Sequence, residues 1–379
     1  MPIAQIAAAF GWSRVHAGVS VTLRLRVDTT VWRHHVQRVG GSYRSLVPVV
    51  KGNGYGFGRG VLAQLAMELL AERAVGGGSG GPAGADRRID QHQGDGQLIA
   101  VGNVHELAGL PEQVRPVVLT PPAPDGGAAG SRPIADRLLA APVSPVVTVA
   151  APEHVDVLGA WKGSVLLKLA SAMHRFGVSP DDRHWFEQYV IDAGLDLVGY
   201  SIHLPTAGAD EDRVAEIERW LGVLPPALGA AGHHPSLWVS HLGPAAHAAL
   251  RERWPRWRFP MRIGSQLWHG DKAALHLGAN VIDFHPVQIG TPAGYHGHIV
   301  ADDGFLVVVG AGSAHGVAPL SDGRSPFHYL RRRLDLVEPP HMHTSMVMVR
   351  AGDDCPQVGD VVEVQRPLTA VTVDEVIWQ

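Results

Sequence analysis

Cysteine is almost absent from this chain: Cys355 is the only one among 379 residues. That excludes an intramolecular disulfide framework and a cysteine-based zinc site, and it points to a reducing cytoplasm. Long apolar runs are missing as well. No stretch approaches the roughly 20 residues of a membrane span, and Ala7-Ala8-Ala9-Phe10 is too short for a span or a secretory leader, so neither is expected. Charge is balanced, with 32 basic against 36 acidic residues and a net charge of -4, so nothing electrostatic argues for nucleic acid or an anionic membrane as partner.

What is present starts with Lys51-Gly52-Asn53-Gly54-Tyr55-Gly56-Phe57-Gly58, directly behind the apolar run Leu46-Val47-Pro48-Val49-Val50. A strand ending on one lysine before a glycine-rich turn puts a single amine at the strand's carboxyl end, where α/β folds collect their chemistry. Flanking valines desolvate such an amine and favour its neutral, nucleophilic form, which bonding to an aldehyde cofactor requires. An ordinary strand-end lysine followed by a turn fits the same residues.

The rest of the chain reads as alternating elements. Val21, Leu23, Leu25 and Val27 alternate with Thr22, Arg24 and Arg26, a strand with one buried face. Asp28-Thr29-Thr30 offers caps for a helix beginning near Val31, and Val61, Leu62, Leu65, Leu69 and Leu70 space a second helix. Apolar strands follow at 98–101, 146–149, 165–169, 197–202 and 237–240. Alternation over about 240 residues argues for a (β/α)8 barrel or a doubly wound sheet. Gly76 to Gly96, nearly devoid of apolar residues, reads as a mobile surface insertion. From about Ala274 short strands such as 305–309, 346–349 and 360–364, separated by Gly, Pro and Asp, read as a second, all-β domain.

The strand carboxyl ends then gather Lys51, Met173-His174-Arg175-Phe176-Gly177, His203, Ser240-His241 and Met261-Arg262-Ile263-Gly264-Ser265. Each arginine or histidine alone could satisfy loop carbonyls, but their recurrence at one end of successive strands is hard to obtain by accident.

The segments around Lys51, Met173–Gly177 and Met261–Gly264, with Pro292-Ala293-Gly294-Tyr295, resemble four motifs of the alanine racemase family, the fold type III pyridoxal-phosphate enzymes. The resemblance runs from Val21 to about Val364. It implies a (β/α)8 barrel over 28–272, with 76–96 inserted, and a β-domain over 273–379 that recruits the strand of the N-terminal segment 1–27. It also implies pyridoxal 5'-phosphate as cofactor, an amino acid as substrate, and a homodimer with shared active sites, cytoplasmic and without nucleic-acid or membrane partners.

By the same resemblance Lys51 bonds the cofactor, and Lys51 and Tyr295 are the two opposed bases of a racemase, acting on the D- and L-faces. Tyr55, Ser240, His241, Gly264 and Ser265 match the phosphate cradle. Arg262 faces the ring nitrogen, His203 supports Tyr295, and Arg175 and Met342 bind the substrate carboxylate. Lys168 stands where the family often carries a carbamylated lysine.

Departures matter too. Ser313, in Ala311-Gly312-Ser313-Ala314-His315-Gly316, replaces the bulky tyrosine of the family's gate, and no C-terminal gate tyrosine precedes Gln379, so a wider entrance and substrates larger than alanine are expected. His341-Met342-His343 replaces Cys-Met-Asp. Two histidines at i and i+2 on a strand share a face, which keeps open a metal-assisted lyase of the D-threonine aldolase or D-serine dehydratase kind. A non-catalytic carrier of the cofactor would need Lys51 but not Tyr295. A decarboxylase is disfavoured by Arg262 and by the misplaced Cys355. No metal is assigned.

Overall fold

The computed structural model describes residues 22–76, 97–124, 133–226 and 235–379. Val21, the Ala7–Phe10 run and all but the first residue of the 76–96 insertion lie outside them. The chain divides into two compact units, one of residues 35–52 and 62–268, the other of 22–34, 53–61 and 269–379.

The first described strand, β1 (Leu23–Val27), belongs to the second unit. Its alternation is realised, with Leu23, Leu25 and Val27 fully buried and Arg24 and Arg26 facing outward. Asp28 then ends the strand and caps the helix Thr29–Gly41, accepting the Val31 N–H at 3.0 Å on Oδ1.

In the first unit eight parallel strands follow: β2 (Leu46–Pro48), β3 (Gln97–Val101), β4 (Val114–Val118), β5 (Val146–Val149), β6 (Ser164–Lys168), β7 (Asp196–Ser201), β8 (Leu237–Ser240) and β9 (Met261–Ile263). Their order in the sheet is β2-β9-β8-β7-β6-β5-β4-β3. The two ends meet at the Val49↔Ala100 bridge, where Val50 N–H donates to Ala100 O at 2.8 Å, so the sheet closes into a (β/α)8-type barrel. Helices occupy most of the crossovers, including Arg183–Asp192, Asp210–Leu221 and Pro244–Arg253. Strands enclosed on both faces need no polar alternation, which is why β5, β6 and β8 are buried at every residue. β4 was not expected, because Pro116 interrupts Val-Arg-Pro-Val-Val and proline removes a ladder donor.

The second unit is antiparallel apart from the parallel β1·β19 pair. The long β10 (Leu275–Val287) carries β1 along its first half and, from Val281 onward with a bulge between Val281 and Asp283, β13 (Gly304–Val309) along its second. Between them come the hairpin strands β11 (Pro292–Ala293) and β12 (His298–Ile299). The sheet is completed by β13, β14 (Phe327–Tyr329), β15 (Arg332–Arg333), β16 (Asp335–Leu336), β17 (Ser345–Arg350), β18 (Val361–Val364) and β19 (Glu375–Trp378), in the order β15-β14-β18-β10-β13-β17-β16 with β1 paired to β10 and β19 to β1. Recruitment of the N-terminal strand is thus observed. Ala293, Val300, Leu306 and Val337 form a small core under the β11–β12 hairpin, packed by Val287, Met346 and Met348.

Candidate active site

Within the barrel unit, Lys51, Arg175, His203, Ser240, His241, Arg262, Gly264 and Ser265 lie on or just beyond strand carboxyl ends, those of β2, β6, β7, β8 and β9. Two residues ahead of Lys51 the chain is pinned: Val49 bridges Ala100, and the buried Trp268 donates Nε1–H to Val49 O at 2.7 Å. Burial pulls the Lys51 amine below its ordinary pKa, and the Arg175 charge adds to this, while Glu106 opposes it and Arg262 reinforces it. The direction is toward an amine that loses its proton more readily than a fully solvated lysine does.

Arg262 is buried and donates to the carbonyls of Ile202, just after β7, and of Val239 and Trp238 on β8, so its guanidinium is fixed from two sides. Burial, then the Arg175 charge, bring its pKa down to about 10, which leaves it cationic at pH 7. His203 Nδ1 lies 2.8 Å from Ser240 Oγ, and its ring meets His241 edge-on at 4.9 Å between centroids. Burial first and the surrounding cations Arg262 and Lys168 next push His203 down to about 2, so it works as a neutral imidazole. His241 is lowered by burial, then by the charges of Arg262, Arg213 and Lys51, and adopts φ 60, a left-handed conformation that a non-glycine residue holds only when its surroundings impose it.

Arg175 projects from the loop 169–178, where its guanidinium lies over the Phe176 ring at 4.5 Å. The loop base is a parallel bridge between Leu169 and Val178, with Ala170 N–H to Val178 O at 3.0 Å and Val178 N–H to Lys168 O at 2.8 Å. Ser171 Oγ donates to His203 O at 2.7 Å, Glu216 accepts the Ala172 N–H at 2.8 Å, and Trp220 Nε1–H bonds Ala170 O at 3.0 Å. Arg213 holds the neighbouring loop by donating to Pro205 O, Thr206 O and Gly208 O at 2.8, 2.7 and 2.9 Å. Sequence reading missed Glu216, Trp220 and Arg213. They sit on the one helix Asp210–Leu221, whose buried face was the available signal.

Lys168 is 3% exposed and its Nζ has no hydrogen-bond partner; Thr148 Oγ1 and Ser201 Oγ, on the adjacent strands, are also buried and unpartnered. Burial and the charges of Arg262 and Arg175 hold the Lys168 amine well below its ordinary value. Cations dominate this end of the barrel, a setting suited to an anionic ligand such as a phosphate or carboxylate.

Tyr55, Tyr295 and Met342 fall in the other unit. Tyr55 is buried at φ 55, its ring edge-on to His269 at 5.5 Å while His269 Nε2 lies 2.7 Å from Tyr55 O. The turn is pinned by Asn53, whose Nδ2 donates to Leu368 O at 2.9 Å and whose Oδ1 accepts the Gly56 N–H at 3.2 Å, and by Phe57 stacked on Trp378 at 5.7 Å. Gly54, at φ +64, is obligatory, since a Cβ would stand 2.4 Å from Arg59 N. Tyr295 is 83% exposed at the tip of the β11–β12 hairpin, and Met342 is exposed with its carbonyl tied to Ala314 N–H at 2.9 Å.

His341 and His343 do not lie on a strand. They occupy a bend ahead of β17, so the premise of a shared strand face fails. His341 Nε2 is 2.5 Å from Glu338, while His343 faces His315 at 6.1 Å. Among the described residues no group of three or more His, Cys, Asp or Glu is placed to hold a metal, and no helix is long and apolar enough to cross a membrane.

A parallel eight-stranded barrel and an antiparallel β-unit, with a lysine, two arginines and a neutral histidine at the strand ends, define a fold shared with alanine racemases. The alanine racemase of Bartonella henselae, solved with covalently bound pyridoxal phosphate, is 16% identical and superposes at a TM-score of 0.64 over 95% of this chain and 100% of that one. The biosynthetic enzyme of Pseudomonas aeruginosa is 19% identical at 0.59 over 95% and 99%, and that of Clostridium difficile 17% identical at 0.58 over 91% and 87%. No protein-family model and no curated sequence matches the chain.

Proposed function

We propose that the protein is a pyridoxal-phosphate-dependent amino-acid racemase, alanine racemase-like, that works as a cytoplasmic homodimer and accepts substrates larger than alanine. The observation that carries this reading is the convergence of Lys51, with its depressed amine, on Arg175, Arg262 and the neutral His203 at one end of the barrel. The fit to the cofactor rests on that cationic donor set and on the unpartnered Lys168 amine beside it. When bound, pyridoxal phosphate supplies an electron sink that acidifies the α-proton of an attached amino acid.

The chain's own residues would supply the rest. Lys51 Nζ, in its neutral form, takes or returns a proton on one face, and the Tyr295 hydroxyl does so on the other, each protomer lending Tyr295 and Met342 to its partner. Arg262, fixed by three carbonyls, stays cationic and would keep a ring nitrogen placed against it unprotonated, restraining competing decarboxylation and elimination. Arg175 binds the substrate carboxylate through charge-assisted bonds. His203 cannot add a competing cation, because its surroundings keep it neutral. Ser240, His241, Gly264, Ser265 and Tyr55 would cradle the phosphate.

The test is to load purified protein with pyridoxal phosphate and follow loss of optical activity with L-Ala, L-Ser, L-Met, L-Lys and L-Glu. Racemisation abolished by Lys51→Ala and by Tyr295→Phe is expected; the Phe variant should keep the cofactor's absorbance. Absence of racemisation with every substrate would sink the proposal, chelator-sensitive cleavage would replace it with the lyase, and strict alanine preference would refute the wide entrance.

A further inference from the structure

Glu338 has no part in the chemistry described so far, yet three donors converge on its carboxylate. Its side chain is 5% exposed. One oxygen accepts the Tyr295 N–H at 2.8 Å, the other accepts the His296 N–H at 3.2 Å, and His341 Nε2 lies 2.5 Å from the first. The His341 ring in turn packs on the Tyr295 ring, 4.4 Å between centroids at 55°. Gly294, at φ +76, makes room: a Cβ there would stand 2.2 Å from Glu338 Oε1. The far side of His341 is anchored too, its carbonyl accepting the Ser313 N–H at 2.7 Å, and a Cβ on Gly312 would stand 2.2 Å from that oxygen.

The pair therefore holds an otherwise exposed tyrosine by its main chain and its ring and leaves the hydroxyl for chemistry. We propose that Glu338 and His341 are positioning residues that fix the Tyr295 side chain for proton transfer, an inference that rests on the racemase reading of Tyr295. A carboxylate is the group this job needs. It accepts from two adjacent N–H groups and an imidazole at once, and bonds to an ionised acceptor are about twice as strong as neutral ones. The His341 hydrogen bond, followed by the two backbone N–H groups, keeps the Glu338 carboxyl below the usual carboxylate range, in keeping with an acceptor that stays charged. The strands that carry this tip are only two residues long, so bonds from Glu338 add to what the Ala293 and Val300 core supplies.

Four variants test this: Glu338→Gln, which removes the charge and turns a donor toward one of the two N–H groups, His341→Ala, His341→Phe, which keeps the ring contact alone, and Tyr295→Phe. In the protein without cofactor, the Tyr295 and His296 amides should exchange about tenfold faster in Glu338→Gln, the equilibrium equivalent of losing one charge-assisted bond. In the loaded enzyme, Glu338→Gln and His341→Ala should lower kcat by roughly ten- to a hundredfold with KM nearly unchanged, and His341→Phe should recover part of that loss. The primary α-deuterium isotope effect should rise with L-substrate more than with D-substrate, because only the Tyr295 transfer is disturbed; a general loss of structure would move both alike. If Tyr295→Phe still racemises, the reading of Tyr295 fails and this proposal with it. If Tyr295→Phe is inactive while Glu338→Gln and His341→Ala keep wild-type kcat and isotope effects, only the positioning role is overturned.

Discussion

Replacing Gly177 by alanine should damage the barrel far more than replacing Gly194, another glycine of positive φ. Gly177 sits at φ +144, a region only glycine occupies freely, and a Cβ would lie 2.4 Å from Ala170 N and from Leu169 C. Forcing a side chain into such backbone costs about 1–3 kcal/mol. The obstructing atoms are main chain, so relief requires opening the Leu169↔Val178 bridge and its two hydrogen bonds, about 1 kcal/mol each. The sum is about 3–5 kcal/mol, a large share of the roughly 5–15 kcal/mol that keeps a typical protein folded. Gly194 is the control. At φ +74, with its nearest neighbour Lys162 Cδ at 3.7 Å, it pays only the left-handed penalty of about 1–2 kcal/mol. Urea unfolding followed by circular dichroism measures the difference, and comparable midpoints for Gly177→Ala and Gly194→Ala would refute the reasoning. A second readout is functional: Arg175 stands two residues away, so a shifted loop should reduce kcat/KM by about 10- to 150-fold, the worth of a charged hydrogen bond of about 1.5–3 kcal/mol.

His203 carries a pH signature. Its folded pKa of about 2 lies below the roughly 6.5 of an unfolded chain, so the unfolded state takes the proton first and stability drains away as pH falls from about 6.5 toward 2. His203→Asn should make that fall shallower in urea midpoints between pH 6.5 and 4; parallel curves would count against it. Lys168, an amine whose burial and two neighbouring guanidiniums push it well below its ordinary pKa and so toward the neutral form, should add carbon dioxide and release a proton, leaving a carbamate among cations. A carbamate resonance with 13C-bicarbonate, missing in Lys168→Arg, is expected, and a wild-type spectrum without it would refute the addition. Ser313 is exposed and bonded to the His341 carbonyl, so Ser313→Tyr should depress turnover of L-Lys and L-Met about tenfold while sparing L-Ala, a contrast that uniform rates would contradict.

The barrel was legible wherever a strand was short, apolar and uninterrupted. β8 falls on the expected residues, and β6 and β7 begin and end one residue early because Leu169 and Ile202 already serve the loops. β4 escaped because Pro116 argues against a strand in isolation, although its neighbours Ile99 and Val147 pair around it once the barrel exists. β10 escaped for a different reason. Its 13 residues include Gly278, Pro286 and a bulge, and its partners come from both ends of the chain, so no local pattern announces it. At the site, charged residues beyond strand ends could be found from sequence. The residues that hold the loops could not: Glu216 is 44 positions from Ala172, and Glu338 is 43 from Tyr295. Such contacts are products of folding, and a buried carboxylate reads in sequence like any surface acid.

The seam between β2 and β3 joins through the lone Val49↔Ala100 bridge, whereas the other neighbouring strands share ladders of two to five residue pairs. A hoop parts first where its fastening is thinnest. The Val50 amide, bonded to Ala100 O across that seam, should be among the first in the barrel to exchange with solvent, and it belongs to the residue immediately before Lys51. The thinnest seam of the barrel therefore runs beside the residue that leads into Lys51, while Val49 stays held on its other side through Ile263 O and the Trp268 indole.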